Sequence, residues 1–119
     1  MNVTKSDKCL FCKIISKTVP ANIIEESKTV LAFRDINPQA NTHILIIPKL
    51  HIPSTREINQ DNISYLSQMV LLSNKIAEKE DIKTSGYRWV INTGDDGGQT
   101  VNHLHLHLIG GRKMHWPPG

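Results

Sequence analysis

Apolar and polar positions alternate most strictly near the C-terminal end, in His103-Leu104-His105-Leu106-His107-Leu108. In an extended chain, side chains two residues apart share a face. The run therefore predicts a strand over residues 103–109, with leucines turned into a core and histidines on the opposite face. A helix would scatter the three imidazoles around its axis. Gly110-Gly111 ends the strand. Earlier in the chain, Ile23-Ile24-Glu25-Glu26 and Thr29–Arg34 read as two strands around a turn at Ser27-Lys28, and His43–Pro48 reads as a central strand limited by Pro48. Residues 10–17 suit a short helix ended by Pro20. Ile63, Leu66, Met69, Val70 and Ala77 recur at helical spacing to about residue 80, with Asn59 or Asp61 as the cap and Met69 as core filling. Tyr87–Asn92 forms a further strand, followed by the glycine-rich loop Thr93–Thr100. Strands, one long helix and more strands make an α+β layout with a mainly antiparallel sheet.

The length of 119 residues fits one domain with one modest core, here residues 9–119 behind a flexible tail at 1–8. With 39% hydrophobic and 21% charged residues, the composition excludes disordered and fibrous classes. The net charge of +3 and pI near 9.0 suit a phosphate-bearing substrate as well as a nucleic acid. No apolar stretch reaches membrane-spanning length, and Met1–Lys8 lacks a signal-peptide core, so an intracellular protein is expected. The two cysteines, Cys9 and Cys12, have C-x-x-C spacing, which in a reducing compartment suits a metal or redox site better than a structural disulfide.

Three imidazoles on one strand face suit two chemistries. Two of them can ligate a zinc ion. Alternatively, a neutral imidazole whose second ring N–H is held by an acceptor is a good nucleophile toward phosphorus or acyl carbon. The preceding loop, Asp96-Gly97-Gly98-Gln99-Thr100, offers backbone N–H groups and a hydroxyl to an anion. That pairing favours phosphoryl transfer.

The run at 103–109 resembles the His-φ-His-φ-His-φ-φ motif of the histidine triad family. Asp35-Ile36-Asn37-Pro38-Gln39-Ala40, Thr42-His43, Ile47-Pro48-Lys49, Asp96-Gly97-Gly98-Gln99 and the ending Gly110–Gly119 resemble its nucleotide-binding (Hint) branch, in order from about Phe11 to the C-terminus. The resemblance implies a five-stranded antiparallel sheet with one long and one short helix, joined to a second sheet across a homodimer. It implies a hydrolase cleaving the P–N bond of purine nucleoside 5′-phosphoramidates through a covalent nucleotidyl-histidine, with no catalytic cofactor. By carry-over, His105 is the nucleophile, His107 contacts the scissile phosphate and His43 supports the histidine network. Gly98, Gln99 and Thr100 bind phosphate with Asn92 beside them, Thr100 standing where a serine is common. Asp35 accepts from the ribose hydroxyls, and Phe11, Ile14, Phe33 and Ile36 enclose the base. Trp116 reaches the site of a partner subunit. On residue chemistry alone, Phe33 and Ile36 serve equally as core, while a turn cap for Asp35 and an exposed tail aromatic for Trp116 are the alternative readings.

The Cys9-x-x-Cys12 pair is absent from well-known animal members of this branch. It resembles a zinc site of other histidine triad proteins, which implies a structural zinc on Cys9, Cys12, His51 and His103. At ~3.3 Å per residue His103 lies about 13 Å along a strand from His107, far enough to separate the two jobs. A nucleotide-binding scaffold and a dinucleoside polyphosphate hydrolase are the competing functions. A purine nucleotide or phosphoramidate is the expected ligand, with no nucleic-acid or membrane partner, and the cytoplasm is the expected location, with the nucleus also open.

Overall fold

The computed structural model describes residues 8–119, so the tail expected at 1–8 lies almost wholly outside the described residues. Helix α1 spans Leu10–Ile15, strand β1 Ile23–Glu26, β2 Val30–Arg34 and β3 Thr42–Pro48. A short 3-10 turn at Thr55–Glu57 leads to helix α2, Ile63–Lys79, then β4 Tyr87–Val90 and β5 Leu106–Gly110. The strands form one antiparallel sheet in the order β1-β2-β3-β5-β4. This is the expected α+β arrangement.

Every residue of β3 is buried because the central strand is covered on both faces. One face carries Val30, Ala32, Ile44, Ile46, Leu104, Leu106 and Leu108 against Met69, Ile76 and Ala77 of α2. The other carries Leu31, Phe33, Leu45 and Ile47 against Phe11 and Ile14 of α1. Burying a leucine is worth about 1.5–3 kcal/mol. Leu104, Leu106 and Leu108 are all essentially inaccessible to solvent, so a one-residue slip would forfeit three such terms at once. That burial fixes which way the intervening histidines face.

The structure corrects several boundaries. β5 begins at Leu106, three residues later than the alternation predicts, although the leucines still share the α2 face. The pairing of Ile46 with Leu106 puts Pro48 opposite Leu104, and Pro48 has no N–H for a ladder bond. The Leu104 N–H instead donates to the Ile52 carbonyl at 2.7 Å. β4 ends at Val90, so Asn92 lies in the loop beyond it. α1 stops at Ile15, and Lys17 then adopts φ 66°, which ends the helical path well before Pro20. α2 starts after Asn62, whose side chain makes no cap bond. The Asn59 carboxamide oxygen accepts from the backbone N–H groups of Asp61 and Asn62, capping the turn that leads into the helix.

Candidate active site

The histidine segment runs along the floor of a cavity of about 360 Å³, walled by Phe11, Ile14, Phe33, Asp35, Ile36, Leu45, Thr100, Val101, His105 and His107. α1 supplies Phe11 and Ile14, the end of β2 supplies Phe33, and the loop before β5 supplies Thr100. Phe11 meets Phe33 edge-on at 5.4 Å and His105 edge-on at 5.2 Å, forming an aromatic corner beside the imidazole. Ile36 is fully exposed at the cavity rim.

Hydrogen bonds assign the ring protons. Nδ1–H of His105 donates to the His103 carbonyl at 2.8 Å, so Nε2 carries the lone pair. The Gln39 backbone N–H donates to Nδ1 of His43 at 3.0 Å, which places the proton of neutral His43 on Nε2. That Nε2–H faces Nδ1 of His107 at 2.9 Å and an Asp35 carboxylate oxygen at 3.4 Å. The shorter contact takes the proton, and neutral His107 is left with its proton on Nε2. Two neighbouring rings, 5.0 Å apart between centroids, thus hold opposite tautomers: a lone pair on His105 Nε2 and a donor on His107 Nε2. Asp35 also accepts from the Asn37 N–H at 2.8 Å, so the turn-capping and cavity-lining readings of this carboxylate both describe it.

Burial is the largest influence on these rings and favours the neutral forms. It lowers His43 and His105 below the usual imidazole value, against the opposing pull of the Asp35 charge. Burial, with the neighbouring His105 and His43 rings, pushes His107 down to about 4.

The glycine-rich loop before β5 is shaped by its own side chains. Oε1 of Gln99 accepts from the Gly94 N–H at 3.0 Å, and its Nε2 donates to the Pro53 and Val101 carbonyls at 2.7 and 2.9 Å. The Gln99 carboxamide is therefore committed within the loop. A Cβ at Gly97 would collide with the Thr93 backbone, and Gly98 holds φ +82°. Gly98 is exposed and Asn92 half-buried, and neither is on the cavity wall. Trp116 is 82% exposed and also stands apart from the wall. Sequence reading missed Val19, Pro20, Ala21, Leu45 and Val101 as wall residues, and Gln39 as the group that sets the His43 tautomer. Only Leu45 carried a signal, as a face-sharing position of β3.

Behind the cavity, the side chains of Cys9, Cys12, His51 and His103 converge, with all four ligand atoms within 4.8 Å of one another. Nδ1 of His103 lies 3.3 Å from Cys9 Sγ, 3.6 Å from Cys12 Sγ and 3.2 Å from His51 Nδ1. Cys12 Sγ lies 3.3 Å from His51 Nδ1. Tetrahedral zinc, with bonds of ~2.3 Å to sulfur and ~2.0–2.1 Å to nitrogen, sets neighbouring S and N about 3.5 Å apart and two N about 3.3 Å apart. The donor set and its spacing fit that ion. Nε2–H of His103 donates to the Pro48 carbonyl at 2.8 Å, which presents Nδ1 as the ligand atom.

With this geometry in place, comparison with known proteins is direct. A family model described as HIT domain matches residues 16–114. The chain belongs to the HIT domain family. The purine nucleoside phosphoramidase of Escherichia coli (strain K12) is 44% identical over 109 residues, covering 92% of this chain and 92% of its own. The 14 kDa zinc-binding protein of Zea mays is 46% identical over 112 residues, covering 92% of this chain and 87% of its own. The crystal structure of a HIT family hydrolase from Legionella pneumophila Philadelphia 1 superposes with a TM-score of 0.92 at 50% identity, covering 94% of this chain and all of that one. These matches support the hydrolase class expected from the sequence.

The depressed His107 value sets a pH dependence. Between its unfolded value of 6.5 and its folded value of about 4, the unfolded chain binds a proton that the folded ring refuses. The contribution of His107 to stability is full above 6.5 and is lost as the pH falls toward 4. Urea denaturation at pH 7 and pH 4.5 should show a lower unfolding free energy at the acid pH, and His107→Gln should reduce the difference. An equal difference in wild type and variant would contradict this.

Proposed function

We propose that this HIT-domain chain hydrolyses purine nucleoside 5′-phosphoramidates in two steps through His105. The observation that carries the reading is the pair of opposed tautomers on adjoining rings beside an apolar, aromatic-walled cavity. The lone pair of His105 Nε2 attacks phosphorus, and the P–N bond breaks as the amine leaves with the proton of His107 Nε2. Water then attacks the phosphorus of the nucleotidyl-histidine, giving its proton to His107 Nε2. His105 departs, and nucleoside monophosphate is released. His43 is the positioning residue that keeps His107 in its donor tautomer. Both rings stay neutral at cellular pH because burial disfavours the imidazolium, so the nucleophile is not lost to protonation.

Binding roles follow from position. Phe11, Ile14, Phe33 and Ile36 enclose the base, and Asp35 at the cavity wall suits the ribose diol. Thr100 offers its hydroxyl to phosphate, and backbone N–H groups near Gly98 assist, while Gln99 holds the loop and Asn92 stands beside it. We further infer that residues 9–119 act as one domain in a homodimer, with Trp116 reaching toward the second subunit, and that the chain works in the cytoplasm. Among the described residues no helix is long and apolar enough to cross a membrane. The phosphoramidase reading draws support from the Escherichia coli relative.

Direct assay tests the reaction. Adenosine 5′-phosphoramidate should be turned over faster than a dinucleoside polyphosphate. His105→Ala should lose at least about 10³-fold in kcat, as expected for removing a nucleophile, and still bind AMP. Preferential cleavage of the polyphosphate, or near-normal turnover by the variant, would overturn the reading.

We also infer a structural zinc on Cys9, Cys12, His51 and His103, supported by the donor spacing and by the zinc-binding relative from Zea mays. Elemental analysis of purified protein should find about one zinc per chain, as a single closed four-ligand site requires. A zinc-free protein after purification without chelator would contradict it.

A further inference from the structure

His103 belongs to two sites at once. Its Nδ1 meets the two cysteine sulfurs and His51, while its backbone carbonyl accepts Nδ1–H of His105 at 2.8 Å. Its third tie, from Nε2 to the Pro48 carbonyl at 2.8 Å, fixes the ring against the end of β3. Phe11 sits between the two cysteines in sequence and meets both rings edge-on, 5.8 Å from His103 and 5.2 Å from His105. A second cavity opens beside Cys9 and His51, and it shares Leu10, Thr100 and Val101 with the substrate cavity as a common wall.

We propose that Cys9, Cys12 and His51 are positioning residues for the nucleophile, acting through His103. Ligation of a zinc ion by the four side chains fixes the His103 ring, and so its backbone. The carbonyl thus fixed then keeps His105 in the tautomer whose Nε2 lone pair faces the substrate. Both His103 and His105 precede β5, outside the ladder that would otherwise hold their backbone. Leu104 N–H has a single bond, to a loop carbonyl at Ile52. The Cys/His cluster and the Pro48 carbonyl together restrain the His103 ring, and through it the carbonyl that His105 uses. Without a cation, the lone pair of His103 Nδ1 faces sulfur and a second imidazole nitrogen, and weak S–H and N–H contacts stand in place of the metal bonds. A released His103 backbone lets the His105 ring exchange tautomers and turn. Small misplacement of a reacting group costs large factors in rate.

This inference rests on the zinc site and, for its kinetic arm, on the phosphoramidase reading. The full-length chain, labelled with ¹⁵N, is compared in zinc-loaded, chelator-stripped and zinc-restored states at about pH 8, where exposed imidazoles are neutral. Long-range ¹⁵N–¹H correlations should show His105 as a single Nδ1–H tautomer when loaded, a mixture when stripped, and the single form again on restoring zinc. On stripping, kcat should fall at least about tenfold while the Kd for AMP changes by less than about threefold, a split expected when positioning rather than binding is lost. His51→Gln should shift the His105 signals in the same direction without removing either cysteine. An unchanged His105 signature in the stripped protein overturns the proposal, and so does failure of the protein to take up zinc. Loss of AMP binding and far-UV circular dichroism in step with kcat also overturns it, because it marks a brace for the whole fold. If the His105 signals move as expected but phosphoramidate is not cleaved, the coupling stands and the proposed reaction fails.

Discussion

A single hydrogen bond, from Nδ1–H of His105 to the carbonyl of His103, is the constraint on which the site depends. An imidazole has two nitrogens and, when neutral, one proton. Its reactivity toward phosphorus rests on which nitrogen keeps the lone pair. The His103 carbonyl settles this for His105, and a separate chain from the Gln39 N–H through His43 settles the opposite choice for His107. The two outcomes are complementary: one ring is ready to form a bond and its neighbour is ready to give a proton. Neither requires a charged histidine, which matters because burial opposes the imidazolium at both.

The rest of the fold holds this pair in register. Leu104, Leu106 and Leu108 are locked into the α2 face, which turns the histidines toward α1. On that side α1 contributes an aromatic wall through Phe11, and Cys9 at its N-cap and Cys12 within it belong to the Cys/His cluster. Pro48 serves both regions. Its missing N–H ends the ladder opposite Leu104, and its carbonyl receives the His103 ring. The break in the ladder leaves the His103 carbonyl available to His105.

The layered fold and the shared face of His105 and His107 were legible in the sequence because they follow from short-range pattern, alternation and helical spacing, whereas Asp35 joined them through the family resemblance. The same pattern placed the start of β5 too early, since nothing local to Leu104 reports that the residue opposite it is a proline. Gln99 was expected as a phosphate ligand from the family resemblance, yet its carboxamide bonds to Pro53, Gly94 and Val101, contacts that only the folded chain brings together. The Gln39 N–H was invisible for the same reason, as was the wall formed by Val19, Pro20 and Ala21. Cys9, Cys12, His51 and His103 are spread over most of the chain, and their convergence was expected from family resemblance, whereas their link to His105 emerged from the backbone geometry at His103.

In the proposed reaction one imidazole nitrogen, Nε2 of His105, takes the nucleotidyl group. Rapid acid quench of the enzyme during turnover of an adenosine phosphoramidate, followed by peptide mass spectrometry, tests it most directly. The account predicts an AMP adduct on His105 and on no other histidine. An adduct on His103 or His107, or turnover that proceeds with no adduct at all, would contradict it.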